Sequence, residues 1–155
     1  MSVGRILVVD DDESIRLMLK DYFAGFGYDV VAAGDGEDAL KKFSPGKFDC
    51  VISDLMMPKI DGISLLKKIK SLDKKIFFLM ITGYPSIDNA IDAIKEGAYE
   101  YITKPFHMED IRIKVERVLG AKKAAESLKR MTGLFWALIF SAPIWLILGI
   151  ILGIV

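Results

Sequence analysis

The chain has 155 residues, enough for one ordinary domain with a sizeable core and too few for two. Its 21 basic side chains balance 21 acidic ones, so no global charge points to nucleic acid or to an acidic partner. The lone cysteine, Cys50, excludes an internal disulfide, and beside Val51 and Ile52 it reads as a small core residue.

No basic, apolar signal segment precedes the first apolar run, so the N-terminal part is expected to stay in the cytoplasm. Residues 6–9 predict a strand. Residues 14–24 predict a helix with Ile15, Met18, Leu19, Tyr22 and Phe23 on one apolar face. Strand-like residues 29–33 lead to a short helix near 37–43, and residues 50–53 lead through "DLMMPKIDG" to a helix over 63–69. Residues 76–81 precede a helix over 87–95, and residues 99–102 precede one that begins near Met108. Glycines such as Gly27, Gly62, Gly83 and Gly97 punctuate the joints. Repeated βα units with continuous apolar strands imply a parallel sheet covered by helices on both faces, over residues 1–120.

In such a sheet, ligands bind beyond the carboxyl ends of the strands. The first strand ends in Asp10, Asp11 and Asp12, and the third in Asp54. The fourth ends in Thr82 and Gly83, and the fifth in Thr103, Lys104 and Pro105. Taken singly, each has an ordinary structural role, since carboxylates suit a helix start and hydroxyls and prolines suit turns. Taken together, they supply carboxylates, a hydroxyl and a lysine to one edge. That set suits phosphoryl transfer to a carboxylate. Clustered carboxylates repel unless a hard cation such as Mg²⁺ relieves them, and an aspartate is then free to act as the nucleophile. A lysine and a hydroxyl hold the remaining phosphoryl oxygens. His107, the only histidine, reads as a surface residue, and no glycine-rich phosphate loop of the P-loop type is present.

The motifs "ILVVDDDESIR", "DLMMPKIDG", "TGYPS" and "YEYITKPF", in this order, resemble the receiver domains of bacterial two-component response regulators. The likeness covers roughly residues 5–119, and "TGYPSIDNAIDAIKEGAYEYITKPF" is most similar to the nitrogen-regulatory class of transcriptional activators. The resemblance implies a flavodoxin-like fold, a doubly wound five-stranded parallel sheet of order 2-1-3-4-5 with helices on both faces. By position, Asp54 matches the phosphoacceptor and Asp10 and Asp11 the acidic pair that holds Mg²⁺, joined by the backbone carbonyl of Met56. Thr82 matches the switch hydroxyl, Lys104 the phosphate-pairing lysine and Tyr101 the aromatic that follows the switch. Lys104 to Pro105 matches the cis peptide of the family. Met56 and Tyr84 occupy the positions that flank the path of hydrolytic water. A histidine kinase or phosphotransfer protein is the implied phosphoryl donor, and an unidentified downstream protein receives the signal. The chain is expected to be no enzyme beyond its own phosphorylation and dephosphorylation, and to make no direct contact with nucleic acid. The alternative is a membrane-localised scaffold of receiver fold that acts without phosphorylation.

After Gly120 the sequence changes in kind. Residues 121–133 are basic and helix-permissive, with Lys122, Lys123, Lys129 and Arg130 against Glu126 alone. Residues 134–155 carry no ionisable side chain. As a helix those 22 residues reach about 33 Å, which matches a hydrocarbon core of about 30 Å. They are expected to form a transmembrane helix that inserts after synthesis, and the preceding basic residues place the receiver on the cytoplasmic side of the inner membrane as a single-pass protein. Pro143 is expected to kink this helix, and Trp145 falls near its middle. Gly149 and Gly153 form a GxxxG pattern, which fits either a homodimer or glycines that face lipid.

Overall fold

The computed structural model describes residues 3–151 and 153, with the backbone alone for 141–151. The chain divides into two compact units, Met1–Glu116 and Arg117–Val155.

In the first unit, strands and helices alternate: β1 (Arg5–Val9), α1 (Glu13–Gly25), β2 (Asp29–Ala33), α2 (Gly36–Lys42), β3 (Cys50–Asp54), α3 (Gly62–Leu72), β4 (Phe77–Thr82), α4 (Ile87–Lys95) and β5 (Glu100–Thr103), followed by the start of α5 (Met108–Ile151). The strands pair in parallel in the order β2-β1-β3-β4-β5. The central strands β1, β3 and β4 are buried almost throughout, which is why their sequences run as unbroken apolar stretches rather than alternating ones. Leu7, Val9 and Val51 join Leu65, Leu66, Ile69, Phe78 and Met80 in one core cluster between the sheet and its helices. Cys50, at the start of β3, is fully buried as well, and burial pushes its thiol pKa up, so it is a core residue as the sequence implies.

The helices start where side chains satisfy their free N–H groups. Asp12, Asp35, Asp61 and Ser86 cap α1, α2, α3 and α4, each accepting from backbone N–H groups two or three residues on. On α1 the inward face is narrower than the apolar spacing suggests: Leu19 and Phe23 are buried, whereas Met18 faces solvent.

In the second unit, α5 continues without a break to Ile151, through both the expected basic segment and most of the expected span. Large apolar side chains at consecutive positions, Leu134, Phe135, Trp136, Leu138, Ile139 and Phe140, are all exposed. The expectation of a transmembrane helix is not met among the described residues, where no helix is long and apolar enough to cross a membrane. Up to Phe140 the helix still carries the charged side chains of residues 108–130, so its described part is not continuously apolar. The side chains of Pro143 and Trp145, and the remainder of the expected span, lie outside the described residues.

Candidate functional site

The site forms where β1, β3, β4 and β5 end. Leu7, Val8 and Val9 pair with Val51, Ile52 and Ser53, a register that brings Asp10 and Asp54 side by side one step beyond. The next helix is held close by glycine. A Cβ on Gly62 would lie 2.4 Å from the Asp54 carbonyl oxygen and 2.8 Å from Leu55 Cα, so only glycine lets the start of α3 approach the end of β3. Asp61 immediately before it accepts the Ser64 N–H at 2.7 Å as the helix cap. The "DG" of the β3–α3 loop is therefore one cap and one close approach.

Asp10, Asp11 and Asp54 each offer one carboxylate oxygen, and the three lie within 4.8 Å of one another. Asp10 and Asp54 are 2% and 7% exposed, and Asp11 is open to solvent. Asp12, the last of the acidic run, serves elsewhere: its Oδ1 accepts the N–H groups of Ser14 and Ile15. Asp10 Oδ1 accepts the Asp12 N–H at 2.9 Å, and Asp10 Oδ2 lies 3.2 Å from Lys104 Nζ. Lys104 Nζ is also 3.4 Å from Asp54 Oδ1. That oxygen is buried and has no hydrogen-bond partner among the described residues. The ammonium thus balances charge for Asp54 without filling its acceptor.

Burial, and then the facing charge of Asp10, raises the Asp54 pKa above the ordinary carboxylate value, while Lys104 opposes the rise. Burial likewise raises Asp10, against the Asp12 N–H and the Lys104 charge. Burial works against the Lys104 charge, but the carboxylates of Asp10 and Asp54 outweigh it, so its pKa is raised and it stays cationic. A buried, unpartnered carboxylate oxygen among clustered oxygen donors fits a hard divalent cation such as Mg²⁺. Asp10, Asp11 and Asp54 are the side chains placed to hold it.

A cavity of about 400 Å³ opens over this cluster, lined by the acidic residues with Lys104 and Gly83 and rimmed by Ile15, Met56 and Tyr84. Met56 and Tyr84 are 54% and 75% exposed, so the rim is apolar and open. Thr82 is buried, and its Oγ1 accepts the Tyr84 N–H at 3.0 Å, so it does not line the cavity wall. Tyr101 is half-buried against the core cluster, and its hydroxyl is buried without a hydrogen-bond partner among the described residues. Tyr101 is thus packed inward in this structure. The Lys104–Pro105 peptide is cis. His107 is exposed, as the sequence suggests.

The sequence marks Gly62 and Gly36 only as joints between elements, and it gives Arg16 no role. A Cβ on Gly36 would lie 2.7 Å from Ile60 Cβ, which locks the β3–α3 loop against the start of α2. The signal was present in "GDGED" and "KIDG", glycines next to helix caps, but close approach between distant segments is invisible in a linear reading.

Residues 6–116 match the response regulator receiver domain family. Transcriptional regulatory protein ZraR of Escherichia coli (strain K12) is 40% identical over 115 residues, which cover 74% of this chain and 26% of that protein. Regulatory protein AtoC of the same organism is 32% identical over 130 residues, 84% of this chain and 28% of that protein. The chain thus spans little more than a quarter of the length of these curated relatives. A solved response regulator receiver domain protein from Clostridium thermocellum superposes with a TM-score of 0.74 at 33% identity, covering 79% of this chain and 99% of that one. A CheY-like receiver domain protein from Methanospirillum hungatei JF-1 gives 0.76 at 31% identity, covering 80% and 99%. With the family match over more than two thirds of the sequence and the acidic cluster at the end of the sheet, the chain belongs to the response regulator receiver domain family.

Proposed function

We propose that the chain is a phosphorylatable switch in which Asp54 takes a phosphoryl group from the phosphohistidine of a histidine kinase or phosphotransfer protein. The observation that carries this reading is the convergence of Asp10, Asp11 and Asp54 within 4.8 Å, with Lys104 Nζ 3.4 Å from an otherwise unpartnered Asp54 oxygen. A carboxylate oxygen of Asp54 attacks phosphorus, the O–P bond forms as the N–P bond breaks, and the departing imidazole nitrogen keeps the electron pair and is protonated from solvent. Mg²⁺, when bound, neutralises the carboxylates and stabilises charge on the transferring oxygens. Asp10, Asp11, Asp54 and the Met56 carbonyl hold it in this reading. Lys104 orients a phosphoryl oxygen.

Toward the phosphoryl group the Thr82 hydroxyl donates its proton, and because its Oγ1 also accepts the Tyr84 N–H, its reorientation is felt by the β4–α4 loop. That motion is relayed to α4 and β5, where Ile87, Ile91 and Ile94 already stand exposed for a downstream protein. Tyr101, already inward, stabilises that arrangement rather than creating it. In this reading the chain catalyses nothing beyond its own phosphorylation and dephosphorylation and makes no direct contact with nucleic acid. Incubation with Mg²⁺ and acetyl phosphate tests it: the native chain gains phosphate and Asp54→Asn does not. If neither gains phosphate, the receiver fold acts as a scaffold instead.

Attachment to the inner membrane through residues 134–155, with the receiver on the cytoplasmic side, completes the proposal. It rests on the sequence: 22 uncharged residues preceded by Lys122, Lys123, Lys129 and Arg130. The exposure of Leu134 to Phe140 supports it, because water leaves such a surface unfavourably solvated. The full chain then resists carbonate extraction from membranes, and a chain ending at Arg130 is soluble and still accepts phosphate. Recovery of the full chain as a soluble monomer rules the attachment out.

A further inference from the structure

The acidic loop after β1 is held from a side that phosphoryl-transfer chemistry does not require. Arg16, on the first turns of α1, donates from Nη1 to the Asp10 carbonyl oxygen at 2.8 Å. Its guanidinium lies over Gly34 in the β2–α2 turn, where a Cβ would come 3.7 Å from Nη1. That turn is itself fixed: the Gly34 N–H donates to Asp38 Oδ2 at 3.2 Å, and the same oxygen accepts Lys42 Nζ at 2.8 Å. Asp10 is therefore restrained at both ends, its carbonyl by Arg16 and its carboxylate by the Asp12 N–H and Lys104.

The carbonyl of Asp10 belongs to the peptide that joins Asp10 to Asp11. Because a peptide is planar, fixing that oxygen fixes the direction in which Asp11 leaves the strand. Electrostatics alone gives no reason for an arginine here, since its charge repels a cation held by the neighbouring carboxylates. We propose that Arg16 is a positioning residue for the metal site, orienting the Asp10–Asp11 peptide so that both carboxylates face Asp54. The inference rests on the reading of this cluster as a Mg²⁺ site.

The two accounts of Arg16 differ in sign. If its charge is what matters, Arg16→Ala removes a repulsion and binds Mg²⁺ more tightly. If it positions the loop, Arg16→Ala binds Mg²⁺ more weakly, by about tenfold, the scale of one charge-assisted hydrogen bond. Calorimetric titration of the full chain with MgCl₂ reads this directly, with Asp11→Ala as the ligand-deletion control. Gly34→Val supplies a second arm that leaves Arg16 in the chain: its branched side chain fills the space under the guanidinium and weakens Mg²⁺ in the same direction. Should Arg16→Ala fail to fold, Gly34→Val decides by the same criterion. Affinity equal to or tighter than native in the folded variants overturns the inference. A native chain that binds no Mg²⁺ overturns the functional reading and this inference with it, whereas native binding with an unchanged Arg16→Ala overturns this inference alone.

Discussion

The first 116 residues and the 39 that follow use their apolar residues in opposite ways. In the first unit the strands and inward helix faces are buried, and among the described residues the buried polar side chains are few: Asp10, Ser53, Asp54 and Thr82. In the second, large apolar side chains from Leu128 to Phe140 stand exposed. A buried polar group costs free energy unless something compensates it, so three of the four buried polar residues falling at the ends of strands marks that edge as functional. An exposed apolar surface marks contact with something other than water. The two units are read by opposite signals.

The largest expected effect sharpens that contrast by making one substitution in both places. Gly62→Ala puts a methyl group 2.4 Å from the Asp54 carbonyl and costs about 3 kcal/mol or more, read by urea denaturation. Gly133→Ala has nothing within 4 Å and favours the helix by about 1 kcal/mol. Equal and small effects at the two glycines would break the comparison.

Next is metal affinity. Asp11→Ala removes an oxygen donor and a charge from the cluster, and Mg²⁺ binding weakens by at least roughly tenfold, the equivalent of 1.4 kcal/mol. Unchanged binding by calorimetry removes Asp11 from the metal site.

The third effect is a dependence of stability on pH. Burial and the Asp10 charge hold the folded pKa of Asp54 above its ordinary value of 3.8. The residue therefore contributes stability that is full below that value and lost as pH rises through the folded one. In the absence of Mg²⁺, Asp54→Asn lacks this loss and melts higher than the native chain at neutral pH, by on the order of a few degrees. The difference shrinks on acidification and vanishes below about pH 3, where the native carboxyl is protonated in both states. Comparing the two chains cancels groups with the opposite shift, such as Asp38, lowered by Lys42. Melting curves that run parallel from acid to neutral pH contradict the account.

The smallest effect concerns lifetime. In the proposed phosphorylated state the apolar side chains of Met56 and Tyr84 fold over the cavity and restrict water, so Met56→Asn and Tyr84→Glu shorten its lifetime by a few-fold, on the order of 1 kcal/mol in barrier. An identical decay rate in both variants dismisses the rim.

Much of this was legible in the sequence. Continuous apolar runs mark β1, β3 and β4 because both sheet faces are covered, and the polar residues that end them become the site by topology alone. What escaped depends on partners that spacing does not reveal. Met18 matches the helical period of α1 and still faces solvent, since the sheet covers a narrower stripe than the pattern offers. Asp12 looks equivalent to Asp10 and Asp11 but is used by the first turn of α1. Arg16 binds a backbone carbonyl, an acceptor every residue carries, so no neighbour in the sequence announces it. The state of Thr82 and Tyr101 is a matter of rotamers and hydrogen bonds, which one sequence leaves free to change.

The central claim is that Asp54 is the phosphoacceptor and that its chemistry depends on the acidic cluster around it. Peptide mapping of the native chain after incubation with acetyl phosphate, with and without Mg²⁺, tests this most directly. The account predicts one hydroxylamine-labile phosphoryl group on the peptide that contains Asp54, present with Mg²⁺ and absent with a chelator. Phosphate on any other residue, or labelling of Asp54 that is indifferent to Mg²⁺, would contradict it.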